Sequence, residues 1–425
     1  MAYQSAPKSL SIPTEVVALL EALHLRNPTD HRLRHLSDEQ WQRLLRFSDL
    51  AHLTLPLASR NRRDGFPEWV SQRLTKNLAD NTERFQRVKS TYLEAANILD
   101  QFGIPHIVLK GFTLAPDYTR SPSQRQQSDL DFYCPLDTIP RAQLALGSIG
   151  YEPEKTVNYS RADHGPTLLR LGTWSWRGNA FDPEMPLSIE LHFCLWNEKV
   201  SFLALPEIDE FWGRREYRSI EGMNVPVLSQ VDQLGYFSMH ILRNLLARDS
   251  IVHHAYELAN FLDDRRLDHA FWNNWVMTHS QHLRSREVIA FDLARQWFGC
   301  SFPDVVERQL QELPETQRAW LDHFGESAIE GSFVENRDVA WLHWSLLERD
   351  EDKLKLIRKT FVPNQLPNPD RPFVVLSEKK IISSTSNRFQ RLLSYTTRRT
   401  LSYSASHLRS LYRCARWLAH RQLSS

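Results

Sequence analysis

Two neighbouring stretches decide how the chain is read: Ile104-Pro-His-Ile-Val-Leu-Lys-Gly111 and, eighteen residues from Gly111 to its first aspartate, Ser128-Asp-Leu-Asp-Phe-Tyr133. The first is an apolar strand ending in a lysine and a glycine turn; the second is a strand of alternating polarity. Successive side chains of a strand point to opposite faces, so Asp129 and Asp131 share one face while Leu130 and Phe132 enter the core. Two carboxylates held side by side repel unless a hard cation lies between them, and Mg²⁺ is typically bound by one or two carboxylates together with substrate phosphates. The pair therefore predicts a metal and a phosphate-bearing ligand.

Upstream, Val70, Leu74, Leu78, Phe85, Val88, Tyr92, Ala95 and Leu99 recur at three- and four-residue steps and predict one long helix from Pro67 to Asp100, stopped by Gly103. Asn81 interrupts its apolar stripe and is read as a local kink or a satisfied polar contact. Thr14 is placed as the cap of a helix over Val16 to Leu23, and Ser37-Asp-Glu-Gln40 is a capping-box pattern before Trp41, Leu44, Leu45 and Phe47. Downstream, a helix is expected from Pro140 to Ile149, then short strands at Thr167–Leu171, Thr173–Trp176 and Leu187–Phe193, and a hairpin around Ile220–Val225. In the strand Leu187–Phe193, Glu190 and His192 share a face, which supplies a third carboxylate from a separate strand. From Ser229 onward the periodicity is helical, no repeat of 20 to 50 residues recurs, and Pro363-Asn-Gln-Leu-Pro-Asn-Pro-Asp-Arg-Pro372 marks a hinge.

The expected organisation is a helical region over 1–102 with one long helix, an α/β domain over 103–228, a helical domain over 229–362, and a proline-rich hinge with a basic tail over 363–425. The fold class is α+β and mostly helical. The 425 residues are 41% hydrophobic and 11% aromatic, as packed cores require, and 52 Lys and Arg against 51 Asp and Glu give no overall field that selects nucleic acid or membrane. No secretory leader and no apolar run of spanning length is found, so the expectation is a cytoplasmic protein that does not cross a membrane. Four cysteines without CxxC spacing are read as packing residues. The last 47 residues (379–425) hold ten Lys and Arg and no acid, with Leu392, Leu393, Leu401, Leu408, Leu411, Tyr412, Trp417 and Leu418 interspersed. The reading preferred for this tail is a solvated segment or one whose apolar residues dock on the body, over contact with nucleic acid or an anionic membrane.

The series Gly103-Ile-Pro, Val108-Leu-Lys-Gly111, Tyr118, Arg125-Gln-Gln-Ser-Asp-Leu-Asp131, Gly150-Tyr151, Ile189-Glu-Leu-His192, Phe211-Trp212 and Ser238-Met-His240 resembles the uncharacterised nucleotidyltransferase family, itself similar to the polymerase-beta-like superfamily. The resemblance covers most of residues 67 to 365. It implies a polymerase-beta-like α/β core flanked by helical regions, with Asp129, Asp131 and Glu190 as the metal carboxylates and catalytic residues and Gly111 at the turn that phosphate approaches. The sequence departs from the superfamily pattern where Phe112, rather than serine, follows Gly111; where Pro116 interrupts a long stretch before Asp129; and where Glu257 stands in place of a helical aspartate.

Lys110, Gly111 and Arg125 are the nucleotide-binding candidates: Lys110 supplies the phosphate bond that a serine makes elsewhere in the superfamily, and Arg125 either neutralises phosphate charge or pairs with Asp129 or Asp131. His192 is read as a packed strand residue or a partner of the carboxylates, with packing preferred. His240 is read as buried or as lining the cleft, and adjacent His253-His254 cannot present both rings on one helix face, so no metal is assigned there. The reading is transfer of a nucleoside monophosphate from an NTP, with two Mg²⁺ ions, to a hydroxyl-bearing acceptor (small molecule, peptide or protein). The alternative is a weakly active or inactive adaptor of the same fold that binds a partner protein or nucleic acid; phosphoryl transfer at the same site is not separated by sequence.

Overall fold

The computed structural model describes residues 12–60, 65–154, 163–170, 172–361 and 404–415. Helices α1 (Thr14–Leu23), α2 (Asp38–Leu50) and α3 (Thr54–Ala58) lead into α4 (Glu68–Gln101). The capping box forms as its spacing requires: Gln40 N–H donates to Ser37 Oγ at 3.3 Å, and Ser37 N–H donates to Gln40 Oε1 at 2.9 Å. Thr14, by contrast, lies inside α1, whose cap is Pro13. Helix α4 runs unbroken through Asn81, whose Nδ2 donates to the carbonyls of Ser123 (2.6 Å) and Arg125 (3.1 Å). One turn on, the buried Arg84 donates to the carbonyls of Gln127, Asp182 and Met185. The polar breaks in the apolar stripe are thus what fix the loop ahead of the aspartate strand.

Strands β1 (Ile107–Leu109) and β2 (Asp129–Tyr133), helix α5 (Ile139–Ser148), and strands β3 (Tyr151–Pro153), β4 (Leu168–Arg170) and β5 (Ser188–His192) form the α/β core. The sheet order is β1-β2-β5-β4-β3, with β2 and β5 parallel and the other pairs antiparallel. Leu130, Phe132, Ile189 and Leu191 point to one face and join Val88, Tyr92 and Leu99 of α4 in a core; each fully buried side chain of this size contributes about 1.5–3 kcal/mol. Residues 173–176, expected as a strand, form none: Trp174 instead donates its indole N–H to Asp182 at 3.0 Å. The short helix α6 (Glu198–Ser201) follows, and β6 (Glu216–Ile220) and β7 (Met223–Val227) make the expected hairpin, turning at Glu221 and Gly222 with φ of 49° and 78°.

The chain continues as α7 (Gln230–Ala247), α8 (Val252–Asp264), α9 (His269–Thr278), α10 (Gln281–Phe298), α11 (Asp304–Gln311), α12 (Glu315–Phe324), α13 (Ser327–Glu330), α14 (Val339–Leu346) and α15 (Asp350–Phe361). These helices share one hydrophobic core with α1 to α3 and with Val70 and Leu74 at the start of α4. An α+β nucleus flanked on both sides of the sequence by helices is the expected fold class, and it is what forms.

The proline-rich hinge and most of the basic tail, including Leu392, Leu393 and Trp417, lie outside the described residues. The segment 404–415 is a helix, α16, and it docks with the opposite face from the one its leucines mark. Ser406, Ser410 and Cys414 are buried, whereas Leu408, Leu411 and Tyr412 are exposed. Polar contacts hold it: Arg413 bridges to Glu330 at 2.7 Å and to Asp338 at 3.2 Å, and Ser410 Oγ accepts from the Arg337 N–H at 2.6 Å.

Candidate active site

Register places the acidic residues. Asp129 pairs with Ser188, Asp131 with Glu190 and Tyr133 with His192 across the parallel β2–β5 ladder, so all six side chains lie on the face turned away from α4. On the other side of β2, Leu109 pairs with Asp131, which brings Lys110 alongside the carboxylate. Lys110 Nζ stands 3.2 Å from Asp131 Oδ2. The lysine backbone has φ 52° and ψ −144°, a region that is close to glycine-only, and Gly111 after it has φ 57°. Two such residues in succession reverse the chain within one turn and swing the ammonium back over the sheet. A Cβ on Gly111 would lie 2.4 Å from Gln127 Nε2, so the glycine is also needed for the close approach of that side chain, which donates to the carbonyl of Asp129 at 2.7 Å.

His192 is no packing residue. Its Nε2 lies 2.9 Å from Asp131 Oδ1 and 3.8 Å from Glu190 Oε2, and its Nδ1 lies 3.7 Å from Asp163 Oδ2. Asp163 in turn forms an ion pair with Arg243 of α7. Thr167 donates to Glu190 Oε1 at 3.1 Å, and His164 Nε2 stands 3.7 Å from Glu190 Oε2. The result is a chain of alternating charge: Lys110, Asp131, His192, Asp163, Arg243. Burial disfavours every charge in it, yet the opposite charges win. Asp131 and Asp163 are held well below the usual carboxylate range, and His192 is raised to about 9 by its two aspartates. Asp129 has no ion-pair partner among the described residues, and burial together with the charge of Asp131 lifts it to about 6 against the pull of Lys110 and Arg125.

The donor set fits a cation. One ligand atom each from Asp131, Glu190 and His192 lie within 4.8 Å of one another. Oxygens from two carboxylates suit Mg²⁺ or Mn²⁺, whereas His192, charged between its two aspartates, would have to lose its proton before a ring nitrogen could join them. Lys110 and His192 supply the positive charge that such an ion would bring.

The residues named from sequence fall into two groups. Asp131 and Glu190 are neighbours, with Asp129 one pleat along the same face, and Lys110 is at Asp131. Arg125 points elsewhere: its Nε donates to Glu257 Oε1 at 2.7 Å, so it pairs with neither aspartate. Glu257 is buried, and burial raises its carboxyl despite Arg125. Tyr236 of α7 is buried, its hydroxyl has no hydrogen-bond partner among the described residues, and burial pushes it up to about 12, with Lys110 opposing the rise and Asp131 adding to it. Asp163, Arg243 and Tyr236 were not marked by any spacing. Asp163 follows no strand or helix pattern, and Arg243 reads as one more polar position of an amphipathic helix. His240, also on α7, is buried and accepts from Arg243 at Nδ1, 3.1 Å away.

A family model described as uncharacterised nucleotidyltransferase matches residues 37–299. No curated protein and no solved structure matches the chain. Among the described residues, no helix is long and apolar enough to cross a membrane.

Proposed function

The chain belongs to that uncharacterised nucleotidyltransferase family, and we propose that it transfers a nucleoside monophosphate from an NTP to a hydroxyl-bearing acceptor at the face formed by β2 and β5. The observation that carries this reading is the register of the two strands, which sets Asp131 opposite Glu190 with Asp129 on the same face. Asp129, Asp131 and Glu190 would hold Mg²⁺, in two sites, with His192 fixing the orientation of Asp131. When bound, the metal supplies charge neutralisation at the phosphates and at the attacking and leaving oxygens.

The remaining work falls to the chain. Lys110, released from Asp131, turns its ammonium to the triphosphate and takes the place of the serine that Phe112 displaces. Glu190, oriented by Thr167, accepts the proton of the acceptor hydroxyl. The hydroxyl oxygen bonds to the α-phosphorus as the bond to the bridging oxygen breaks, and pyrophosphate leaves with that electron pair. Arg243, through Asp163, keeps His192 charged and Asp131 in place.

Calorimetric titration of the full chain with each of four ribonucleoside triphosphates in Mg²⁺ tests the reading. Saturable binding of at least one nucleotide, abolished in the Asp129→Ala, Asp131→Ala double variant, is expected. A folded wild-type chain that binds none of the four rules out the transferase and leaves the non-catalytic adaptor.

A further inference from the structure

Helix α7 brings one stripe of side chains to the charged network. Tyr236, His240 and Arg243 stand at i, i+4 and i+7, so the three share a side of the helix over about 10 Å of its axis. Arg243 ties that stripe to the network through its ion pair with Asp163. The Tyr236 ring lies 6.3 Å from that of His240, and its phenol is within electrostatic reach of Lys110, Asp131, Arg243 and Asp163.

Tyr236 is 4% exposed, and its hydroxyl is a buried atom with no hydrogen-bond partner among the described residues. A buried hydroxyl left unmet is costly, and here each charged neighbour is already engaged. Lys110 is paired with Asp131, Asp131 also with His192, and Arg243 with Asp163. Both ring nitrogens of His240 are taken, by Arg243 at 3.1 Å and by Asn244 at 3.2 Å. The charges close on one another and leave the phenol out. Burial keeps it protonated, with an oxygen able to accept a bond from a cation. Of the two cations in reach, Arg243 is held by both Asp163 and His240, whereas Asp131 is the one carboxylate at salt-bridge distance from Lys110 among the described residues. Lys110 is also the group that a metal on Asp131 would displace, and its ammonium turns on a flexible stem.

We propose that Tyr236 is a positioning residue whose hydroxyl accepts an N–H of the Lys110 ammonium when a divalent cation takes that ammonium's place on Asp131. Lys110 thus has two seats: Asp131 without metal, and Tyr236 with it. The second seat keeps the lysine charge at the metal face, facing the phosphates, and gives the phenol the bond that it lacks. The inference rests on the transferase reading, which is the source of the metal at Asp131.

Mn²⁺ alone, followed on the full chain by the loss of its free-ion electron paramagnetic resonance signal, tests this without nucleotide or turnover. Tyr236→Phe removes an oxygen that makes no bond in the metal-free chain, so unfolding in urea without metal is expected to need at least as much denaturant as in wild type. Mn²⁺ binding is expected to weaken at least fivefold, because the bond to the ammonium forms only with metal present. In a Lys110→Met background the same substitution should alter Mn²⁺ affinity less than twofold, since no ammonium remains to be caught. Unchanged affinity in Tyr236→Phe, or an equal loss with and without Lys110, overturns the second seat and leaves the metal site standing. A folded wild-type chain that takes up no Mn²⁺ overturns the second seat and the metal site together.

Discussion

Lys110 Nζ stands 3.2 Å from Asp131 Oδ2, so a lysine from the strained turn after β1 neutralises the carboxylate that a metal would need. Asp131 is buried and Lys110 nearly so, with side-chain exposures of 6% and 13%. Removing one partner of a buried ion pair costs about 3–5 kcal/mol; with His192 still paired to Asp131, Lys110→Met should lose roughly 2–4 kcal/mol without metal. Millimolar Mg²⁺ should recover part of that loss, by replacing one cation with another. Denaturant unfolding of the variant with and without Mg²⁺ measures this; equal stability to wild type in both conditions would show that the pair is not coupled to metal.

Asp129 gives a pH signature of the opposite sign from an ordinary paired carboxylate. Its folded pKa, about 6, lies above the ordinary 3.8, so the folded state holds the extra proton and the penalty of ionising it grows as pH rises from about 4 through 6. Asp129→Asn should therefore be more stable than wild type at pH 7.5, by roughly 1–3 kcal/mol, and the advantage should shrink toward pH 4.5. Unfolding curves without metal at several pH values decide it. A gap that stays constant with pH would place the raised proton affinity elsewhere.

Far from the sheet, His279 sits fully buried between Asp232 Oδ1 at 3.3 Å and Glu287 Oε1 at 2.8 Å. Burial opposes its charge, but the two carboxylates raise it from 6.5 to about 9. The stabilisation is complete below pH 6.5 and is lost as pH rises through 9, amounting to about 3 kcal/mol at most. His279→Gln should abolish that alkaline loss. Gly235→Ala should disturb the same triad sterically, because a Cβ there would lie 2.7 Å from the His279 ring and 2.8 Å from Glu287. Urea titrations between pH 6 and 10 read both effects.

The docked helix α16 offers a fourth test. Asp338 has no exposed side-chain surface and burial pushes it up to about 6, a rise opposed chiefly by Arg413, then by the Ser410 hydrogen bond and by Arg409. Arg413→Ala should destabilise the fold by roughly 2–3 kcal/mol, and Asp338→Asn in the same chain should restore most of it, because the buried charge is gone. A double-mutant cycle on thermal unfolding measures the coupling; additivity would mean that Arg413 serves Glu330 alone.

The strand pair and the long helix could be read from the sequence because each follows a period: two for Asp129 and Asp131, three to four for Val70 through Leu99. The capping box at Ser37 was legible for the same local reason. His192 was not, since alternation shows that it shares a face with Glu190 but not that β5 lies beside β2 in the register that brings it to Asp131. Arg125 was misplaced because its partner, Glu257, is 132 residues away on a helix whose packing no local pattern records. The docking face of α16 misled for a third reason: a helix stripe of leucines predicts burial, but there the salt bridges of Arg413 select the opposite side.

Helix α4, 34 residues long and so about 50 Å from end to end, belongs at its start to the core of helices and at its finish to the core under the sheet. Its middle, from Asn81 to Arg84, grips the loop that delivers β2. An unbroken beam anchored at both ends acts as a ruler that sets the spacing of the two cores along its length. Any jaw-like opening of the molecule would have to bend the beam or strip apolar side chains from one anchor. The release of Lys110 from Asp131 that the proposed reaction needs bends no helix and disturbs neither anchor.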